Sequence, residues 1–534
     1  MRHQSIRFQL TGIGLFFPLL LAAALATLAR LEAQPFSPGG DKVAIDPLLA
    51  KYSHKKFWSD ELGRELCATR HPQYAGDGPG QLYLRGLILQ FKPEYPQSTG
   101  RPDLSFLALG PGGKRRGGLA FTSGPYSAFV NLSLPVEPSL LRALAQRSEL
   151  SSVKPFCVVN THFRIQLRSD AVVNSDEPCY AEQWGHLAMH FDAEIARRSS
   201  SVTVGVFDTG IQYRHVEFGF ACHEASGSAC CQDCGADFFY QYESSQRQPM
   251  IGGEHCLDDL CEPHGTQMSG IIAAKPNGLG IIGLAPQAKL VSLAVGNRND
   301  GKANERDERG FLAAIKFAEK TGVQVLNFSF AVNFATEISV ARVCHALADY
   351  GAGKSARGIV VIANSDGAPT SCANQIGGQA LLTNHYWLNA DNSLEVVVAD
   401  QVIDLYGPGS HMITTTSSRP DSVSSLAKLG GSFSPSAAAA HVSGAAAQVW
   451  GQVPFKKCDA PQIARLLIKT ARVVEVKKTY IRLVDVGFLR QMQVEKKLDF
   501  DFGDCEKAIE AAVGAAKTWH ATSKPDGGFV SMPN

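Results

Sequence analysis

The chain has 534 residues, 45% of them hydrophobic and 19% charged, a globular composition that excludes a disordered chain or a coiled coil. At about 150 residues per domain, this length predicts two or three domains. Lysine and arginine number 51 against 50 aspartates and glutamates, a net charge of +1, which leaves no global field to hold nucleic acid or an anionic membrane.

Residues 1–33 read as a signal peptide: Arg2 and Arg7 form a basic start, Leu10 to Ala29 carries no charge, and Leu31-Glu32-Ala33 is an A-x-A-like cleavage site. The protein is therefore expected to be exported, either secreted or periplasmic. An uncleaved membrane anchor is the alternative, because an apolar run of about 20 residues is long enough to span a bilayer. No second stretch of that length lacks charge, which excludes a multi-span membrane protein. The 13 cysteines of an exported chain predict several disulfides on loops, with a connectivity that spacing does not reveal.

After a polar, turn-rich segment, Gln81 to Phe91 predicts a strand. Gly110 to Gly118 is a loop of glycines around Lys114, Arg115 and Arg116, either a solvated charge run or a processing site for a basic-specific protease. A strand around Ala128 to Leu134, a helix from Ser139 to Ser148 and a strand from Ser152 to Val159 complete a small α+β unit within residues 34–170. From Val202 the pattern changes. Strands at 202–207, 288–294, 323–329, 358–363 and 394–398 alternate with helices near 308–320 and 336–349, which predicts an α/β domain over residues 171–490. Its core is a doubly wound, mostly parallel sheet with flanking helices. Residues 491–534 form a C-terminal extension with a helical run near 505–517.

Three segments place a reactive side chain where a βα turn would present it. Val202 to Asp208 is a buried-type strand ending in a carboxylate, followed by Thr209-Gly210; open α/β sheets put their sites at such strand ends, although an aspartate there also serves as a cap or turn former. His264 opens a helix of small residues, and Gly265 beside it lets other backbone approach the imidazole; a helix-start histidine satisfied by its neighbours is the plainer reading. Ser436 stands at the N-terminus of a helix rich in alanine and glycine, as an N-cap, as a nucleophile beside an oxyanion-stabilising N–H, or as both.

The order Asp208, His264, Ser436 and these local contexts resemble the subtilisin-like serine proteases over Trp184 to Leu489. Leu326 to Ala331 resembles that family's substrate-binding strand, Val360 to Asn364 the segment bearing its oxyanion asparagine, and Gly407-Pro408-Gly409 a turn preceding its serine. The resemblance implies a subtilisin-like fold and peptide-bond hydrolysis, with polypeptides as substrates. Asp208 would orient the imidazole, His264 act as general base and acid, and Ser436 act as nucleophile. Asn364 and the Ser436 N–H would hold the oxyanion, while Ser329, Phe330 and Ala331 would pair with the substrate backbone as an added strand. It also implies that the unit before Gln183 is similar to the family's propeptide, a folding template and product-like inhibitor cut away between Asn160 and Trp184; an accessory domain is the other reading.

Several positions depart from the family pattern: Ser434-Pro435 replaces Gly-Thr before the serine, Ala440 replaces a proline, Gln267 a histidine, and Ala363 and Ala331 glycines. Pro435 is compatible with a helix start, which needs no donor there. Ser432 is a rival nucleophile at the cost of four extra residues before His441. A catalytically silent peptide-binding scaffold is therefore the alternative to an active endopeptidase.

No cofactor is required by this chemistry and no metal ligand is assigned. The insertion between Asp208 and His264 contains Cys222, Cys230, Cys231, Cys234, Cys256 and Cys261, a spacing that suits disulfides better than zinc. Cys261 is a weaker alternative nucleophile, and a structural calcium ion, with Asp258 and Asp259 as candidate ligands, is left unplaced.

Overall fold

The computed structural model describes residues 44–47, 49, 60–75, 80–92, 120–124, 127–131, 144, 146–164, 177–212, 215–218, 235–238, 250–251, 263–295, 308–329, 337–352, 358–364, 368–389, 393–399, 401–416, 426–429, 434–476 and 479–522. The N-terminal unit contains β1 (Ala44–Ile45), α1 (Asp60–Arg70), β2 (Gln81–Phe91), β3 (Ala120–Gly124), β4 (Ser127–Asn131) and β5 (Leu150–Arg164). Strand β2 lies between β4 and β5, antiparallel to both. Its leucines point inward at 82 and 84 and then at 87 and 89. The change from even to odd follows from an irregularity at Leu84/Gly86, since an extra residue reverses the period-two alternation. A Cys67–Cys157 disulfide ties α1 to β5. The strand predicted to end at Val159 continues to Arg164, past Asn160 and into the stretch expected to hold the cleavage site.

The short helices α2 (Trp184–Ala188) and α3 (Ala193–Arg198) lead into the α/β domain. Its first half comprises β6 (Thr203–Asp208), β7 (Gly235–Asp237), β8 (Met250–Ile251), α4 (His264–Ala273), β9 (Lys289–Ala294), α5 (Glu308–Lys320), β10 (Val325–Phe328), α6 (Glu337–Ala352) and β11 (Ile359–Ala363). The second half comprises α7 (Ala368–Ile376), β12 (Ala380–Leu388), β13 (Ser393–Val397), β14 (Leu405–Pro408), β15 (Met412–Thr415), β16 (Leu426–Leu429), α8 (Pro435–Trp450), α9 (Ala460–Thr470), β17 (Arg472–Val476), β18 (Thr479–Leu483), α10 (Phe488–Val494) and α11 (Cys505–Thr522).

The main sheet runs β3-β4-β2-β5-β13-β12-β11-β10-β6-β9-β7-β8. Neighbours from β12 to β7 pair in parallel. The central strands β6, β9, β10 and β11 are short, largely apolar runs, as a parallel sheet covered on both sides requires. Phe207, Leu326, Phe328 and Ile362 pack with Phe311 and Ile315 of α5 and with Val343 and Leu347 of α6. Val204, Val206, Val325 and Val361 pack with α4 and the alanines of α8 on the other face.

One predicted strand takes a different place. The segment at 394–398, expected within the parallel alternation, is β13, antiparallel to β12. Residues 389–392 alone connect the two, and a parallel crossover needs a dozen residues or more. On the side away from β10, β11 pairs in parallel with β12, a strand not among those predicted.

Beyond residue 490, α11 places Ala508, Ile509, Ala512 and Ala516 in the same core as α8 and α9. Three disulfides join described residues: Cys67–Cys157, Cys344–Cys372 and Cys458–Cys505. Cys179 is a free thiol. No helix among the described residues is long and apolar enough to cross a membrane. The Cys458–Cys505 bridge anchors α11 across a sequence separation of 47. Replacing both cysteines by serine is expected to lower stability by about 4 kcal/mol on the loop-entropy relation. Denaturant unfolding of the two forms under oxidising conditions measures the difference.

Candidate active site

Asp208 ends β6 at the carboxyl edge of the parallel sheet and is wholly buried. His264 opens α4, and its Nδ1 lies 2.8 Å from Asp208 Oδ1 and 3.0 Å from Oδ2. This approach depends on Gly265. A Cβ there would stand 2.3 Å from the Gly210 carbonyl oxygen and 3.0 Å from Asp208 Cβ, so a larger residue would push the first turn of α4 away from the carboxylate. Three further bonds fix the pair: the Thr209 N–H donates to Asp208 Oδ1 (2.8 Å), the Gly265 N–H to Thr209 Oγ1 (3.0 Å), and the Gln212 N–H to Thr266 Oγ1 (2.9 Å). The imidazole side chain is 25% exposed and the carboxylate 1%. A buried carboxylate thus holds one ring nitrogen while the ring keeps access to solvent.

Ser436 occupies the second position of α8. Ser434 is the N-cap, its Oγ accepting from the Ala437 N–H at 3.1 Å, and Pro435 is the first helical residue. Proline is favoured at that position because the N–H it lacks would have no partner inside the helix. The Ser436 N–H is another first-turn donor without an intrahelical acceptor, so it is available to an external anion. Ser436 Oγ donates to the Ser329 carbonyl oxygen, just beyond β10, and Ser329 Oγ donates to the Ser436 carbonyl at 3.0 Å. Behind them Asn327 Nδ2 donates to Ser329 Oγ (2.8 Å) and Ser443 Oγ to Asn327 Oδ1 (2.9 Å). Asn327, Ser329 and Ser443 are completely buried. Satisfied networks of this kind fix one arrangement of a core.

Asn364 follows β11 at the same sheet edge. Its N–H donates to the Thr383 carbonyl at 2.7 Å, and its Oδ1 accepts from Gln401 Nε2 at 2.5 Å. With the oxygen so engaged, the amide nitrogen is the end left to donate. Phe330, Ala331 and Ser432 lie outside the described residues, as do the six cysteines of the insertion, Asp258, Asp259 and Lys114 to Arg116. Among the described residues, no three His, Cys, Asp or Glu side chains converge on a point that could hold a metal ion.

Residues 199–504 match the subtilase family. The chain belongs to that family. Solved structures with a similar chain path include fervidolysin from Fervidobacterium pennivorans, a keratinolytic enzyme related to subtilisin. It is 16% identical, with a TM-score of 0.44 over 82% of this chain and 62% of that one, so this chain spans less than two thirds of fervidolysin. A cold adapted subtilisin-like serine proteinase is 18% identical, with a TM-score of 0.36 over 54% of this chain and 89% of that one. MycP1 with its N-terminal propeptide removed is 19% identical, with a TM-score of 0.40 over 57% of this chain and 94% of that one.

In this subtilase the sequence reading missed Gln401 and Ser443 and gave Asn327 no role. Asn327 alone left a signal, a polar residue inside the apolar run of β10. The helix carrying Ser436 also contains His441, whose Nδ1 lies 2.7 Å from the Ala437 carbonyl oxygen. Burial pushes its pKa down to about 4, and burial also holds that of His186 well below the usual range. The two rings meet edge to face with centroids 5.6 Å apart. In the unfolded chain each takes up a proton near pH 6.5. The folded state therefore binds fewer protons between about pH 6.5 and pH 4, and stability falls as pH drops through that window and is full above it. His441 alone would contribute up to about 3 kcal/mol of that loss. Urea midpoints measured from neutral pH to pH 4 should fall steeply in the wild type and less steeply in His441→Gln; parallel curves would assign the acid limb to other groups.

Proposed function

We propose that this subtilase is an exported serine endopeptidase that hydrolyses polypeptides through Asp208, His264 and Ser436 and is made as a precursor that it cuts itself. The observation that carries this reading is the bond between His264 Nδ1 and the buried Asp208 carboxylate at the carboxyl edge of the parallel sheet; Ser436, on the first turn of a buried helix, is read as its nucleophile from the subtilase pattern. In the first half of the reaction Ser436 Oγ attacks the scissile carbonyl carbon and its proton passes to His264 Nε2. Asp208 keeps Nδ1–H oriented and stabilises the imidazolium. The Ser436 N–H and the Asn364 amide donate to the oxyanion. Collapse gives that proton to the leaving amine and leaves an acyl-serine. Water then attacks the ester, giving its proton to His264, and Ser436 recovers its hydroxyl as the acid departs.

The resting bond from Ser436 Oγ to the Ser329 carbonyl gives substrate a part in activation. A peptide laid against Ser329, at the end of β10, would bring a backbone N–H to that carbonyl. The Ser436 proton is then free to turn to His264. Catalytic hydrogen bonds often reach full alignment only in the substrate complex. Export is supported by the targeting segment and by the disulfides. Self-processing is supported by strand direction: β5 is antiparallel to β13, and β13 to β12, so β5 runs with the parallel strands and delivers the chain after Arg164 to their carboxyl edge.

A fluorophosphonate probe should label wild-type protein at Ser436 and leave Ser436→Ala unlabelled. Folded wild-type protein that takes no label would favour the silent scaffold. Asn364→Ala should reduce kcat roughly 100- to 1000-fold with little change in KM. Gln401→Ala should lower kcat in the same direction by less, because it frees the amide to rotate without removing it; steady-state kinetics on one peptide substrate measure both.

A further inference from the structure

We propose that the N-terminal unit, residues 44–164, is a permanent part of the folded enzyme, one that stays bound as a layer of its main sheet after the linker that follows it is cut. This replaces the expectation of a released inhibitor. It goes beyond the catalytic reading and stands or falls separately from it.

The first observation is the seam itself. Strand β5 pairs antiparallel with β13 through Val158, Val159, Asn160 and Arg164, opposite Val397, Val396, Glu395 and Ser393. The Val398 N–H donates to the Cys157 carbonyl at 3.3 Å, and Thr161 Oγ1 to the Leu394 carbonyl at 3.2 Å. Every residue of β13 is buried, the condition of an interior strand. Without β5, β13 would be an edge with unpaired N–H and C=O groups, which proteins protect against.

The second observation is the composition of the contact. Transient interfaces are polar, whereas obligate ones resemble a domain core cut in half. Here Phe156 and Val158 of the unit form one buried cluster with Trp387 and Val397 of the α/β domain. On the other face Val153 and Val159 share a core with Tyr386 and Val396. Tyr83 Oη donates to the buried Glu395 carboxylate, and burial, followed by that neighbouring charge, pushes the phenol pKa far up.

A second contact adjoins the first, since Gly80 also lies against Asn160 and Val159 of the seam. Thr479 Oγ1 donates to the Gln73 carbonyl at 3.0 Å. Gly80 has φ +102°, and a Cβ there would stand 2.7 Å from Val476 Cγ1. The unit is thus seated against β13 and against β17. The attachment is noncovalent across this seam, because the unit's own cysteines, Cys67 and Cys157, bond to each other.

The test uses the full chain with Ser436→Ala and with residues 168–174 replaced by the recognition sequence of a site-specific protease. After cutting, denaturing electrophoresis should resolve two fragments, while gel filtration in native buffer at nanomolar concentration should give one species at the elution volume of the uncut chain. Separate elution of the N-terminal fragment in native buffer would overturn the proposal. In the cut protein, Val397→Asp sets a carboxylate against Phe156 and Val158 and should speed dissociation by about tenfold or more, since an unpaired buried charge is costly. An unchanged rate would overturn the assignment of the seam. If that variant does not fold, Gly80→Val applies the same test at Val476. Catalytic activity enters none of these readouts, so failure of the peptidase reading leaves them interpretable.

Discussion

Helix α8 is buried from Ala437 to Trp450, and the candidate site takes its geometry from that burial. A helix with no face in water can be accommodated only if its residues are small enough for sheet and helices to close on it from several sides, and seven of the positions from 437 to 447 are alanine. The cost is a lack of large side chains to lock its rotation. The polar network of Asn327, Ser329, Ser436 and Ser443 supplies that lock, because its bonds run between helix and strand and are satisfied only at one azimuth. A buried polar group that loses its partner is penalised more than an apolar contact that loosens. The position of Ser436 is therefore set by hydrogen bonds, and the helix's proximity by alanine.

The central strands were legible because a parallel strand covered on both sides is a short apolar run, which β6, β9, β10 and β11 all are. Strand β12 was not legible, since Thr383, Asn384 and His385 interrupt its apolar residues with the residue types of a turn. All three are buried. Thr383 Oγ1 donates to the Ile362 carbonyl at 3.0 Å, Asn384 Nδ2 to the Val397 carbonyl at 3.4 Å, and the His385 N–H to Asn384 Oδ1 at 2.8 Å. The partners of Thr383 and Asn384 lie 21 and 13 residues away, so a local pattern has no way to separate satisfied strand polarity from a loop.

The candidate site divides along the same line. Asp208, His264 and Ser436 each carry local requirements: a strand end, a glycine beside a helix start, a capped helix of small residues. Those requirements are written in neighbouring letters. Gln401 meets Asn364 across 37 residues and Ser443 meets Asn327 across 116, and neither pairing has a local signature. The disulfides follow suit, since the separations of 90, 28 and 47 residues are fixed by which elements the sheet brings together.

The departures from the usual subtilase pattern can be followed one by one through this geometry. Ser434-Pro435 preserves the helix start, because serine caps and proline lacks a donor only where none is required. Ala440 in place of proline has a subtler effect. In a continuous helix the N–H of residue 440 points to the carbonyl of residue 436, a bond that proline would forfeit. The Ser436 carbonyl, which also accepts from Ser329 Oγ, thereby has a donor for each lone pair. The first turn bearing Ser436 is then tied forward into its own helix and sideways to Ser329 at the end of β10.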